Sequence, residues 1–73
     1  MTSQEKLVRI GEVIEALPSL QFRIRLTDSG REILGYLGGK MRMYRIRILP
    51  GDTVKVEMNS ETDNRGRIIY REK

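Results

Sequence analysis

Residues 21 to 26, QFRIRL, alternate apolar and polar side chains without a break, and residues 53 to 58, TVKVEM, do the same. A period of two suits a strand with one buried face, whereas a helix would turn Ile24 away from both Phe22 and Leu26. Two further runs fit the strand template. REILGYL at 31 to 37 sets Ile33, Gly35 and Leu37 on one face and Glu32, Leu34 and Tyr36 on the other. GRIIYR at 66 to 71 is rich in β-formers, and its alternation points Tyr70 inward and Arg67 and Arg71 outward.

The first apolar segment, LVRIGEVIEAL from Leu7 to Leu17, is longer than an average strand and holds Gly11, where a missing side chain permits a bulge or a sharp coil. A long strand bent at glycine can belong to both halves of a sheet that rolls on itself. The rival helix over EVIEAL has scarcely two turns between Gly11 and Pro18.

Turn chemistry separates these runs: LPS at 17 to 19, TDSG at 27 to 30, LPGD at 49 to 52, and NSETDNRG at 59 to 66. Pro50 presets φ and Gly51 accepts a positive φ, the combination of a type II turn. Between the third and fourth strands, GGKMRMY can form one helical turn. The expectation is an all-β fold: a five-stranded antiparallel OB-fold barrel with a short helical turn between strands three and four. It fills a single domain over residues 1–73, with residues 1–6, MTSQEK, as a flexible tail.

A chain of 73 residues buries only about 60% of the surface its unfolded form exposes. With no cysteine and no histidine, neither disulfides nor the usual zinc ligands can supplement its core. The same absences remove the commonest general base and the thiol nucleophile. Ser3, Ser19, Ser29 and Ser60 lie in the tail or in turns, and Asp28, Asp52 and Asp63 are turn residues suited to local backbone hydrogen bonds. Gly38-Gly39-Lys40 lacks the earlier glycine and the following Ser or Thr of a phosphate-binding loop, since Leu34 and Met41 stand there. No enzyme activity and no cofactor is expected. No apolar run approaches the length of a spanning helix, so a soluble, cytoplasmic chain without membrane contact is expected.

The basic side chains point elsewhere. Net charge is +4, and arginines outnumber lysines ten to four. Guanidinium is planar and forks onto phosphate oxygens, which favours a nucleic-acid partner. Lys40, Arg42, Arg45 and Arg47 fall together with no carboxylate before Asp52, and Arg65, Arg67 and Arg71 form a second acid-free stretch. Period two sends Arg23, Arg25 and Tyr36 outward, so a closing barrel can gather cations and a tyrosine ring on one face. Each element has a plainer role: Arg23 and Arg25 can guard a sheet edge, Met41 and Met43 can cover the barrel's open end, and the 40 to 47 cluster can be a solvated loop.

Taken in order, GEVIEALP at 11 to 18, FRIRL at 22 to 26, GKMR at 39 to 42, IRILPGD at 46 to 52 and RGRIIYR at 65 to 71 resemble bacterial translation initiation factor one, from about Leu7 to Arg71. The resemblance implies an OB-fold that binds the small ribosomal subunit at the aminoacyl-tRNA site. It would contact ribosomal RNA and a decoding-centre ribosomal protein, act with initiation factors two and three, and be a monomer when free. The resemblance also admits the plastid stroma as its compartment. By motif position, Lys40, Met41 and Arg42 match the RNA-meeting loop and short helix, while Arg47, Arg65, Arg67 and Arg71 match basic positions on the same face. After GKMR the family usually runs KNYIRIL, whereas Met43-Tyr44-Arg45 here brings the aromatic one position earlier. A general single-stranded RNA binder of the cold-shock type and a basic protein-interaction module remain as alternatives.

Overall fold

The computed structural model describes residues 7–44 and 46–72. The expected tail at 1–6 and Arg45 lie outside the described residues. Five strands and one helix follow in the order β1 (Leu7–Leu17), β2 (Gln21–Leu26), β3 (Glu32–Leu37), α1 (Gly39–Met43), β4 (Thr53–Met58) and β5 (Arg65–Glu72). They close into a barrel in the ring order β1-β2-β3-β5-β4. The closing ladder between β3 and β5 joins residues 34–37 to residues 65–68, and the inward half of each alternating run meets its counterparts in the middle. Phe22, Ile24 and Leu26 from β2, Ile33 and Leu37 from β3, and Val54, Val56 and Met58 from β4 are all buried there.

The first strand does serve both halves of the sheet. Leu7 to Glu12 pair with β4 and Gly11 to Leu17 pair with β2, so Gly11 stands at the changeover with a partner on each side. A side chain at Gly11 would drive its Cβ to 2.5 Å from Ile24 Cγ2 and 3.0 Å from the Arg25 carbonyl oxygen, so glycine alone lets β1 and β2 approach this closely.

Four of the five ladders are antiparallel, and β3 with β5 is parallel. An odd number of strands cannot alternate direction all the way round a closed ring, so one like-directed pair is required. The antiparallel expectation therefore fails at this single ladder.

β5 departs from strict alternation. Lys55 pairs with Tyr70 but the next residue of β4, Val56, pairs with Ile68, leaving Ile69 as the extra residue of a bulge. The bulge reverses the sides beyond it. Tyr70, expected inside, is 54% exposed, with Lys55 Nζ 5.3 Å from its ring centroid. Arg71, expected on the outer face, is instead half-buried opposite the inward-facing Val54, and its Nη1 donates to the Arg47 carbonyl at 2.5 Å.

α1 sits across one end of the barrel. Gly38 N donates to the Ile68 carbonyl at 3.0 Å, docking the start of the helix on β5, and Met41 points down into the core at 7% exposure. Met43 and Tyr44 point away, at 70% and 68%. Among the described residues no helix is long and apolar enough to cross a membrane.

Candidate nucleic-acid interface

Outward-facing residues of neighbouring strands line up by register. One row runs Gln21 (β2), Tyr36 (β3), Arg67 (β5), Glu57 (β4), and a second runs Glu15 (β1), Arg23 (β2), Leu34 (β3), Arg65 (β5). Register partners lie about 5 Å apart, so each side chain's immediate company is decided across the sheet.

The first row lines an open groove of about 550 Å³ on the outer face of the sheet, which α1 also borders. Tyr36, Arg67 and Arg65 line it from the sheet and Arg42 from the helix, so four residues singled out by the sequence converge here. Arg42 and Arg65 are exposed and form no ion pair among the described residues. The Tyr36 ring, bracketed in register by Gln21 and Arg67, is also exposed. A flat ring and unpaired guanidiniums lining one groove can hold a base by stacking and its phosphates by charge-assisted hydrogen bonds.

Other expected contact residues are placed differently. Arg23 Nη1 meets Glu15 Oε1 at 3.3 Å, and Arg25 Nη2 meets Glu32 Oε2 at 3.7 Å, both across neighbouring strands and outside the groove. Arg67 is ion-paired to Glu57, its register partner. Met41 is packed in the core with 7% of its surface exposed, and Arg71 fastens the segment before Leu49 to the barrel. Lys40 and Arg47 are exposed and form no ion pair among the described residues, extending positive surface beyond the groove.

Sequence reasoning missed Leu20. It lines the groove, half of its surface exposed, in a turn where Ser19 and Leu20 both have positive φ, 65° and 57°. Leucine in the left-handed region costs about 1–2 kcal/mol, and Pro18-Ser19-Leu20 contains no glycine or asparagine to announce it. Sequence reasoning placed the loop at 59 to 66 but missed its part in the groove, to which it contributes Asn59 and Asp63. Arg31 holds that loop in place: its Nη1 donates to the Asp63 carbonyl at 3.0 Å and to Asn64 Oδ1 at 3.3 Å, and its Nη2 to the Glu61 carbonyl.

Comparison with known proteins bears on the same chain. Residues 1–73 match the family described as translation initiation factor 1A / IF-1. The solution structure of translation initiation factor one from the Wolbachia endosymbiont strain TRS of Brugia malayi is similar at 38% identity and a TM-score of 0.74, over 93% of this chain and 79% of that one. YjeQ from Thermotoga maritima, a crystal structure, is similar at 30% identity and a TM-score of 0.74, over 92% of this chain but only 23% of that one.

Proposed function

This chain belongs to the translation initiation factor 1A / IF-1 family, and from that premise we propose that it binds the small ribosomal subunit at the aminoacyl-tRNA site through its groove and the cations around it. Occupying that site blocks premature tRNA entry and assists initiation factors two and three. Lys40, Arg42, Arg47 and Arg65 meet ribosomal RNA phosphates, and Tyr36 receives a base. The compartment is that of the small subunit, cytoplasm or plastid stroma.

One observation carries this reading: Arg42 and Arg65, without an ion-pair partner among the described residues, line the same groove as an exposed tyrosine ring. Unpaired cations release condensed counterions from RNA without first breaking a bond of their own.

The test is cosedimentation of a Lys40→Glu, Arg42→Glu variant with purified small subunits over a salt series. Both side chains are exposed, so stability should stay within about 0.5 kcal/mol of the parent. Affinity should fall, with a log-log salt slope shallower by roughly 1.4 if both cations meet single-stranded phosphates. Unchanged affinity rejects the assignment. Comparable affinity for arbitrary single-stranded RNA and for small subunits would instead favour the cold-shock type of binder.

A further inference from the structure

Among the described residues one ion pair joins two residues that line the groove. Arg67 stands next to Tyr36 in register, yet its guanidinium is held by the Glu57 carboxylate from β4. Glu57 itself lines the groove, with its side chain only 21% exposed, so the pair is partly withdrawn from water and less screened than one in open solvent. A carboxylate offers a guanidinium fork the same planar pair of oxygens that a phosphate does. A phosphate that takes Nη2 of Arg67 has to displace the Glu57 carboxylate from it, and the displaced carboxylate stays in the groove as a like charge.

We propose that Glu57 is a brake on RNA binding: it competes with phosphate for Arg67 and so holds down the affinity of the groove for RNA chains. The inference rests on the RNA-binding reading of the groove. Arg42 and Arg65 on the same walls have no such competitor among the described residues and engage first. Arg67 joins only when a ligand places a phosphate well enough to take the guanidinium from its partner. Register makes the device specific. Arg65, two residues before Arg67 on the same strand, is opposite Leu34 and is left open.

Glu57→Gln in the full chain tests this, because the amide keeps the side chain's size and can still accept a bond from Arg67. A short oligouridine and purified small subunits are the two ligands, each titrated over a range of potassium chloride concentrations. Oligouridine should bind Glu57→Gln about two- to fivefold more tightly than the parent, the range expected when a partly exposed ion pair no longer has to be broken. The salt slope should steepen by about 0.7, the value of one added single-strand phosphate contact. On an Arg67→Gln background, Glu57→Gln should tighten binding no more than the charge-matched Glu15→Gln, whose partner Arg23 lies outside the groove. Tightening that persists undiminished without Arg67, or that Glu15→Gln reproduces in full, overturns the brake. If the parent chain binds and Glu57→Gln merely equals it, the brake alone fails. If the parent retains neither oligouridine nor small subunits, the RNA-binding reading fails and the brake with it.

Discussion

Ile24 is fully buried at the centre of the barrel, and it fits there because glycine lies on both sides of it, Gly11 on β1 and Gly35 on β3. The two glycines accommodate different atoms. A Cβ at Gly35 would meet Ile24 Cδ1 at a separation no real Cβ shows, with Ile24 Cγ1 at 3.3 Å and Ile68 Cδ1 at 3.4 Å behind it. A Cβ at Gly11 would meet Ile24 Cγ2 at 2.5 Å and the Arg25 carbonyl oxygen at 3.0 Å. Overpacking of this kind costs about 1–3 kcal/mol, against about 0.5–1 kcal/mol by which alanine is favoured over glycine within a strand. Gly35→Ala should therefore destabilise by about 1–2 kcal/mol, lowering the melting temperature by about 4–8 °C per kcal/mol for a domain of this size. Ile24→Val removes Cδ1 and keeps both Cγ atoms, at about 0.5–1.5 kcal/mol for the lost methyl. On that background Gly35→Ala should become nearly neutral, a coupling of about 1 kcal/mol or more, while Gly11→Ala should remain as damaging as before. Urea unfolding at constant m separates these terms. A stabilising Gly35→Ala in the parent, or relief of Gly11→Ala by Ile24→Val, would refute the steric account.

Tyr36→Ala should weaken small-subunit binding by about 1–3 kcal/mol if a base stacks on the ring, and Tyr36→Phe should not; equal losses in a binding titration would assign the effect to the hydroxyl. Arg31→Ala should destabilise by about 1–2 kcal/mol and speed amide hydrogen exchange across residues 59–64, whose carbonyls it holds. Gly51→Ala should cost about 1–2 kcal/mol in thermal unfolding, because φ there is +96° although a Cβ would meet open space. Arg23→Ala should change stability by less than about 1 kcal/mol, its pair with Glu15 being half exposed on both sides.

Those properties of the fold that follow from alternation were legible in the sequence. The buried faces of β2, β3 and β4 and the double role of the bent first strand rest on a period of two and on glycine, which local chemistry determines. The helical turn within GGKMRMY was legible too, and it begins on Gly39. The bulge at Ile69 was not, because GRIIYR reads as an unbroken β-run and nothing in its composition asks for an extra residue. That one residue reversed Tyr70 and Arg71 together. The left-handed Ser19 and Leu20 were hidden because the chain that closes the turn uses residues with no preference for positive φ.

The site was only half legible, and the reason is the direction in which strand neighbours lie. Charge was read along the chain, where Arg65 to Arg71 has no acid and Glu57 is eight residues before Arg65. On a sheet, however, the neighbours of an outward residue are its register partners, so Arg67 meets Glu57, Arg23 meets Glu15 and Arg25 meets Glu32. Arg65 meets Leu34. The described residues of α1 and of the segment before Leu49 have no register partner, and there Lys40, Arg42 and Arg47 form no ion pair among the described residues. In a barrel of this kind, an arginine count per stretch therefore measures available charge only off the strands. On them, the count has to be taken after pairing, and pairing turns three of the expected contact residues into half of an ion pair while leaving Arg65 open to the groove.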